Sequence, residues 1–414
     1  MKKIKKNYLF YLFLYLTLLI GFIFDENSSG GAIDDFQIIS QAIISFSLDL
    51  KFTYNNYHYY FISHFPYYYI LLSFFYTIFE NLTFVKLLVL HLSLLLPLIF
   101  YKIISIKFDK KNLYLVYLPG ILFLSAYFRS SAIWALNDNL ALIFLCSAIF
   151  FYYKAQNVKE PKSVLVFCLF NLISIVLAAY TRQYYAVFWL FFVYKFFILF
   201  GTRLILQYLF ISLILSLPAL YQIFNINSFT GYSTMSTSLL FYSKNFFNNM
   251  ILVPSIFFIY LIPFYLNKKN LKNIFIFYKK NLLLLLINLL LTLFFLYFFD
   301  YPVEVGGGII YKIFYNNNLS FIFYLAIFIS YLFISHFLNS NIKENIFILI
   351  LIIVMIQLNY IFQKYLDPLS LILIFGLFKS EIVNNFINNL RKNIKYLYLY
   401  FSFMYLGSLF YYYL

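Results

Sequence analysis

Long apolar runs separated by short polar segments form the main pattern of the chain. About 20 apolar residues cross a bilayer as a helix, and runs near that length recur throughout the sequence. They lie at about 7–24, 83–104, 112–127, 139–154, 163–180, 184–200, 204–223, 248–267, 281–299, 318–338, 344–361, 368–379 and 396–413. The pattern predicts an all-α, polytopic integral membrane protein with about 11–14 transmembrane helices and one transmembrane domain over residues 1–414.

The segment 25–82 is the longest connection between two predicted spans, and it has helical patterns of its own. In "DDFQIISQAIISFSLDL" the apolar residues recur with a helical period, and Asp34 stands where an N-cap would be. The segment "HFPYYYILLSFFYTIFE" (64–80) is continuously apolar. We expect two interfacial helices within a first extracytoplasmic loop.

The charged residues set the orientation of these spans and exclude a soluble fold. Only 11% of the residues are charged and 64% are hydrophobic, whereas soluble domains carry about 25% charged residues. Basic residues favour the cytoplasmic side, and the chain begins "MKKIKK". If the chain crosses the membrane at each predicted span, all but seven of the 30 Lys and Arg residues lie on the cytoplasmic side. Ten of the 14 acidic residues then lie outside. This distribution accounts for most of the net charge of +16 without nucleic acid as a partner.

Candidate chemistry comes first from these outer acids. Asp25, Glu26, Asp34 and Asp35 fall within eighteen residues, and Asp138 follows a later span. Acids near a membrane are costly unless they are hydrated, paired or functional. The cluster is therefore either a hydrated loop with helix caps, or a catalytic carboxylate that takes a proton from an incoming hydroxyl, or a metal site.

Isolated cations on the same predicted side are the second set of candidates. Arg182 lies at a turn between two spans, where it could reach lipid headgroups or hold a phosphate by a forked contact. A glycine turn precedes Lys312 and could offer backbone N–H groups to an anion. Lys364 and Tyr365 stand near another predicted outer end.

The order of these motifs resembles that of the GT-C superfamily of polytopic glycosyltransferases, with some similarity to the dolichyl-phosphate-glucose-dependent glucosyltransferases. The similar segments are "IDDFQIISQ" (33–41), "HFPYYYILLS" (64–73), "AIWALNDNLAL" (132–142), "YTRQYYAVFW" (180–189), "GGGIIYK" (306–312) and "QKYLDP" (363–368). Two departures stand out: Lys364 occupies a position where Arg is usual, and "DENSSGG" adds an acidic pair before Asp34.

The resemblance implies transfer of a sugar from a polyprenyl-phosphate donor in the membrane to a glycan, lipid or protein acceptor, with inversion. The basic start of the chain predicts an N-terminus in the cytoplasm, and the resemblance implies an active site on the outer face of a bacterial cytoplasmic membrane. Asp34 or Asp35 would be the general base, with Asp25 a third possibility. The other implied roles are acceptor or divalent-cation (Mg²⁺ or Mn²⁺) ligands for Asp25, Glu26 and Asp138, and donor-phosphate ligands for Arg182, Lys364, Lys312 and Tyr365. His58 and His64 lie in the same outer segment as the first acids and could assist; for His64, which stands near Pro66, the alternative is a structural role.

Two other classes of membrane protein fit part of the pattern. A transporter or flippase for lipid-linked glycans would also use acids, but it would place charges near the bilayer midplane, where the predicted spans carry almost none. A glycan polymerase or ligase would share the location and the lipid-phosphate substrate.

Overall fold

The computed structural model describes residues 2–60, 62, 64–108, 112–225, 239–266, 268–301, 306–356 and 360–413, without the side chains of residues 2–6, 58, 224–225, 239–244 and 268–269. The described residues are helical and contain no β-strand, which agrees with the all-α prediction. They divide into two compact units, unit 1 (Met1–Met235 and Tyr398–Leu414) and unit 2 (Ser236–Leu397).

Unit 1 contains the first eleven helices and three short 3₁₀ segments. The helices are α1 (Lys2–Ile23), α2 (Ala32–Leu48), α3 (Leu50–Asn55), α4 (Tyr67–Phe79), α5 (Leu82–Ser93), α6 (Leu95–Lys107), α7 (Ala126–Ile133), α8 (Asp138–Asn157), α9 (Pro161–Thr181), α10 (Phe188–Phe200) and α11 (Thr202–Asn225). The 3₁₀ segments are Tyr57–Tyr60, Leu115–Leu124 and Gln183–Val187.

In the described part of the chain, unit 2 contains the helices that follow α11. They are α12 (Leu239–Tyr265), α13 (Lys268–Lys280), α14 (Leu282–Tyr297), α15 (Gly308–Ile310), α16 (Ser320–Leu338), α17 (Ile342–Met355), α18 (Leu369–Gly376), α19 (Glu381–Asn388) and α20 (Leu390–Tyr413). A π-helical turn follows α15 at Tyr311–Tyr315, and 3₁₀ turns lie at Asn339–Asn341 and Gln363–Tyr365. Helix α20 continues into unit 1 from Tyr398.

Several of these helices have the length and composition to cross a membrane. Within the described ranges there are seven such helices, or up to nine if each of two bent helix pairs is one span. Two shorter apolar helices, Asn7–Ile23 and Tyr67–Phe79, add to these. The structure is therefore compatible with a polytopic membrane protein, and the larger count of 11–14 stays a prediction.

Two of the predicted apolar runs form shorter elements than a straight transmembrane helix. The run at 112–127 is a 3₁₀ segment that contains Pro119 and meets α7 at an angle of 70°. Proline removes a backbone donor and disfavours a continuous α-helix. The run at 368–379 contains α18, whose eight residues extend about 12 Å at 1.5 Å per residue, less than the bilayer core.

The predicted first outer loop contains α2 and α4 in the two segments with helical patterns. The buried side of α2 is formed by Phe36, Ile39, Ile43 and Phe46. The prediction of Asp34 as the N-cap is wrong, because Gly31 holds that position and Asp34 lies in the first turn. The Asn27 side chain instead accepts the N–H of Ala32 at 3.1 Å, which satisfies one of the free amides at the start of the helix.

The acidic loop after α1 is hydrogen-bonded to the end of α20 within unit 1. The N–H of Asn27 donates to the hydroxyl of Tyr413 at 2.6 Å, and the hydroxyl of Ser408 donates to the carbonyl of Ser28 at 2.6 Å. Gly30 adopts a φ of +83°, and a Cβ there would collide with the ring of Tyr412. The loop conformation therefore depends on contacts with a helix nearly 400 residues away in sequence.

Helices α8 and α9 form an antiparallel hairpin that positions two charged residues. The amide of Asn171 in α9 donates to the carbonyl of Ala148 in α8 at 2.7 Å, and both residues are buried. Helix α8 begins at Asp138, and Arg182 follows the last residue of α9. The hairpin thereby brings Asp138 and Arg182 to the same end.

Candidate functional site

The candidate site in unit 1 contains three ion pairs between the predicted outer acids and basic residues from later helices. We refer to Asp25–Lys86, Glu26–Arg129 and Asp138–Arg182 as the ion-pair cluster. Their sequence separations run from 44 to 103 residues. Folding therefore pairs charged residues that are far apart in sequence, and two of them, Arg129 in α7 and Asp138 at the start of α8, lie on either side of the turn between these helices.

The Glu26–Arg129 pair is the most enclosed of the three, with both side chains buried. The Arg129 Nε donates to both carboxylate oxygens of Glu26, at 2.8 and 3.1 Å, and Nη2 also contacts the carboxylate. Nη1 and Nη2 donate further to the hydroxyl and the carbonyl of Thr17, at 3.3 and 2.9 Å. Every nitrogen of the guanidinium is thus satisfied by protein atoms, which is the condition for a buried pair to be stable.

Gly21 makes room for this pair on helix α1. A Cβ at position 21 would collide with the Glu26 carboxylate and with Nη2 of Arg129. The absence of a side chain at Gly21 therefore lets the acidic loop return closely over the end of α1.

The Asp25–Lys86 pair lies at the wetter edge of the cluster. Lys86 Nζ is 3.1 Å from the Asp25 carboxylate, whose side chain is 65% exposed. The same ammonium lies 3.8 Å from the centre of the Trp134 ring, which is a favourable cation–π distance. Trp134 donates its indole N–H to the carbonyl of Glu26 at 2.8 Å. Lys86 and Trp134 together hold Asp25 and Glu26 in place.

The Asp138–Arg182 pair is also buried but has an unsatisfied atom. Nη2 of Arg182 donates to Oδ2 of Asp138 at 2.6 Å. Oδ1 of Asp138 is buried and has no hydrogen-bond partner in the part of the chain that the structure describes. An unsatisfied buried carboxylate oxygen is costly and calls for an explanation such as a bound ligand or water. The geometry thus offers an acceptor atom inside the protein.

Tyr69 on α4 connects this pair to the first turn of α2. Burial raises the pKa of the Tyr69 hydroxyl above its ordinary value, the Arg182 charge opposes the rise, and the Asp138 and Asp35 charges add to it. The amide of Asn137 donates to the Tyr69 hydroxyl at 3.4 Å. Asp35 is therefore close enough to share an electrostatic environment with Asp138 and Arg182.

The two adjacent acids of α2 differ in environment. Asp34 is exposed on the outer face of the helix, whereas Asp35 is half-buried. Because consecutive helical residues point about 100° apart, only one of the two can face Tyr69, and that residue is Asp35. The structure distinguishes two residues that the sequence left equivalent.

Of the two histidines predicted to assist, the structure describes the side chain of His64 only. His64 Nδ1–H donates to Oε1 of Gln183 at 2.9 Å, next to Arg182 in sequence. This contact links the segment before α4 to the end of the α8–α9 hairpin. The side chain of His58 lies outside the described residues.

The predicted cations Lys312 and Lys364 lie in unit 2, in segments that are hydrogen-bonded to each other. Gly306, Gly307 and Gly308 all have a positive φ, between +75° and +88°, a region that favours glycine. The N–H of Gly307 donates to the carbonyl of Ile361 at 2.8 Å. This amide is therefore used within the protein, contrary to the expectation that the turn offers it to an anion.

The three predicted phosphate ligands of unit 2 are half-buried or buried. Lys312 and Lys364 are both half-buried, and Tyr365 is buried. Lys364 Nζ lies 5.2 Å from the centre of the Phe362 ring. These three residues stay predicted phosphate ligands.

A cavity of about 540 Å³ lies beside the Glu26–Arg129 pair in unit 1. Apart from these two residues and Tyr405, its walls are mainly apolar side chains of α1, the 3₁₀ segment before α7, and α20. The Arg129 guanidinium lies 4.9 Å from the centre of the Tyr405 ring. The cavity can hold an apolar chain with a charged pair at its wall.

The arrangement of acids bears on the predicted divalent cation. Within the described ranges, no three His, Cys, Asp or Glu side chains come together in a way that could hold a metal ion. The acids of the cluster instead have basic partners.

Comparisons with protein-family models, with curated proteins and with solved structures found no match for this chain.

Sequence reasoning missed the partners of the acids. Arg129 and Lys86 are two of the seven basic residues that the predicted topology leaves outside, but the sequence pattern did not indicate that they bind Glu26 and Asp25. A usable signal was present, because uncompensated basic residues on the side of the acids are natural partners for them.

Proposed function

We propose that this protein is an integral-membrane glycosyltransferase of the GT-C type that transfers a sugar from a polyprenyl-phosphate donor to an acceptor hydroxyl. The observation that carries the proposal is the grouping of half-buried Asp35 with Tyr69, Asp138 and Arg182. A half-buried carboxylate near a buried arginine–carboxylate pair suits a reaction in which a proton is removed and a phosphate departs.

In the proposed reaction, Asp35 accepts the proton of the acceptor hydroxyl. The acceptor oxygen forms a bond to the anomeric carbon while the bond from that carbon to the phosphate oxygen breaks. Polyprenyl phosphate leaves, and the configuration at the anomeric carbon inverts. The bond forms and breaks on opposite faces of the sugar, so no covalent sugar–enzyme intermediate is required.

Arg182 and Asp138 would act on the two substrates from the same pair. A guanidinium presents five N–H donors, and its positive charge stabilises a developing phosphate charge. Oδ1 of Asp138 would accept a hydrogen bond from a sugar hydroxyl, which explains why that buried oxygen has no partner among the described residues.

The apolar cavity supports the lipid-linked nature of the donor. Its volume of about 540 Å³ lies within the usual range for small-molecule sites, and its apolar walls suit several isoprene units. Under this proposal Glu26 and Arg129 keep the wall in place. The positive-inside pattern of the sequence favours an active site on the extracytoplasmic side of a bacterial cytoplasmic membrane.

The test uses the full chain in lipid nanodiscs with a panel of labelled polyprenyl-phosphate sugars and a membrane extract as the source of acceptors. Release of polyprenyl phosphate and the anomeric configuration of the product are measured. Asp35→Asn is expected to reduce transfer by about 10²–10⁴-fold, the usual contribution of a general base. Asp34→Asn is the matched control, because the same change is made one residue away on an exposed side chain, and it should stay within about twofold of the wild type.

The proposal fails if folded wild-type protein leaves every donor intact, or if Asp34→Asn and Asp35→Asn have the same activity. A labelled lipid that crosses the bilayer with its sugar attached would favour a flippase instead.

A further inference from the structure

Helix α13 differs from the other helices of unit 2 in its charge. Its thirteen residues, KKNLKNIFIFYKK, include five lysines and no acid. The helix that follows, α14, carries no charged residue and reads LLLLLINLLLTLFFLY. A strongly basic helix is therefore joined directly to an apolar helix.

The two helices meet almost at a right angle. The bend between Asn270–Lys280 and Leu282–Tyr297 is 96°. Transmembrane helices tilt on average about 20° from the bilayer normal. If α14 crosses the bilayer, α13 lies close to the plane of its surface.

One side of α13 is fixed to the body of unit 2. Ile274 and Tyr278 are buried, and the Tyr278 hydroxyl donates to the carbonyl of Leu332 in α16 at 2.6 Å. The Asn270 side chain donates to the carbonyl of Phe264 in α12 at 2.7 Å. The orientation of the helix about its own axis is therefore determined by packing.

The other side of α13 is exposed and amphipathic. Phe275 is 77% exposed, and Leu271, one helical turn before it, is also exposed. Lys272 and Lys279 are exposed and lie next to these two apolar residues on a helix of 3.6 residues per turn. In the described part of the chain, no acidic side chain pairs with Lys272, Lys279 or Lys280.

We propose that α13 lies in the surface of the bilayer, with Leu271 and Phe275 among the acyl chains and Lys272, Lys279 and Lys280 bound to anionic phospholipid headgroups. Charge complementarity selects this partner, because an unpaired row of ammonium groups beside exposed apolar side chains matches a phosphate layer above hydrocarbon. Lysine stems reach from apolar surface to such headgroups. This inference does not depend on the proposed sugar transfer.

The first experiment measures depth by quenching with brominated lipids. Phe275→Trp introduces a fluorophore on α13. The protein already contains the buried Trp134 and the half-buried Trp189, and the signal of these two is measured on the wild-type protein and subtracted. Leu290→Trp is the matched control on α14, since residue 290 lies about 12 Å along the helix from its first residue at 1.5 Å per residue. Position 275 should be quenched most by bromine near the headgroups, and position 290 by bromine near the bilayer centre.

The second experiment measures lipid selectivity at position 275. The protein is reconstituted in mixtures of phosphatidylglycerol and phosphatidylcholine, with bromine on only one of the two lipids at matched composition. Brominated phosphatidylglycerol should associate at least about fivefold more strongly near residue 275 than brominated phosphatidylcholine, which is the expected contribution of one lysine at a charged surface. Lys272→Gln, Lys279→Gln and Lys280→Gln in combination should abolish the preference, and the three Lys→Arg changes should retain it.

Two outcomes overturn the inference. Absence of quenching at position 275 by any brominated lipid means that water or protein covers the helix. Equal quenching by the two lipids, or a preference that persists in the Lys→Gln variant, means that these lysines do not bind anionic headgroups.

Discussion

The two buried arginine–carboxylate pairs of unit 1 differ in how fully their polar atoms are satisfied. In the Glu26–Arg129 pair, every guanidinium nitrogen donates to a protein oxygen and both carboxylate oxygens accept. In the Asp138–Arg182 pair, Oδ1 of Asp138 has no partner among the described residues. A fully satisfied hydrogen-bond network favours one rigid arrangement, whereas an incompletely satisfied one leaves an acceptor atom for a hydrogen bond from a ligand or water.

Under the proposed function, this difference separates residues that hold the site together from residues that would act on a substrate. Glu26 was predicted as an acceptor or metal ligand from its sequence alone. Its contacts with Arg129 give it a supporting role in the proposed mechanism, in which the buried Oδ1 of Asp138 accepts a hydrogen bond from a sugar hydroxyl. Stability measurements that need no substrate can test this difference between the two ion pairs.

The largest expected effect is the loss of the satisfied pair. Glu26→Gln should lower the free energy of unfolding by about 3–5 kcal/mol, because it leaves the buried Arg129 charge without its partner. Asp138→Asn should cost less, about 1.5–3 kcal/mol, since it weakens one charge-assisted hydrogen bond to Arg182 rather than several, and the carboxylate oxygen Oδ1 already lacks a hydrogen-bond partner among the described residues. Chemical or thermal unfolding in nanodiscs measures both. An equal or reversed order would contradict the assigned difference between the pairs.

A smaller effect is expected from crowding the satisfied pair. Gly21→Ala places a methyl group against the Glu26 carboxylate and Arg129, so it should cost about 1–3 kcal/mol, as overpacking usually does. Gly407→Ala on α20 is the matched control, because a Cβ there meets nothing within 4 Å. The control should be neutral or stabilise by up to about 1 kcal/mol, since alanine favours a helix over glycine. Similar unfolding midpoints for the two variants would show that the loop does not pack tightly over Gly21.

The smallest effect concerns the surroundings of the Asp138–Arg182 pair. Burial raises the pKa of Tyr69 in the folded protein, so its contribution to stability is fully present below about pH 10, the ordinary tyrosine value, and is lost as the pH rises through the folded pKa. At alkaline pH, release of the Tyr69 proton on unfolding lowers the free energy of unfolding by up to about 1.4 kcal/mol per pH unit. Tyr69→Phe should remove this contribution from the pH dependence. The slope is measured by unfolding titrations between neutral and alkaline pH. An unchanged slope would place Tyr69 outside the buried charge environment.

The helical architecture could be predicted because lipid imposes long apolar runs that are visible in the sequence. The runs at 139–154 and 163–180 correspond to α8 and α9. The run at 112–127 was predicted as one span, but its 3₁₀ segment Leu115–Leu124, which contains Pro119, meets α7 at an angle of 70°. Hydropathy measures transfer into lipid and does not distinguish a straight helix from a bent one.

The candidate site was predictable only as a set of residues and not as pairs. The scarcity of acids singled out Asp35 and Asp138, and the turn after α9 singled out Arg182. The pairing of Glu26 with Arg129 joins residues 103 positions apart, a relationship that local patterns do not contain. Asp34 and Asp35 looked equivalent because their exposure depends on how α2 packs against α4.

The bonds from the acidic loop to Ser408 and Tyr413 bear on the order in which the protein matures. The loop at Asn27 leaves the ribosome early, but its partner Tyr413 is 386 positions later. At 5–20 residues per second, synthesis of the intervening chain takes on the order of 20–80 s. During that interval the loop lacks two of its hydrogen bonds, so it reaches its final geometry only after the end of α20 has been synthesised and has packed against it. Quality control that removes chains lacking α20 would therefore remove proteins whose acidic loop was never completed.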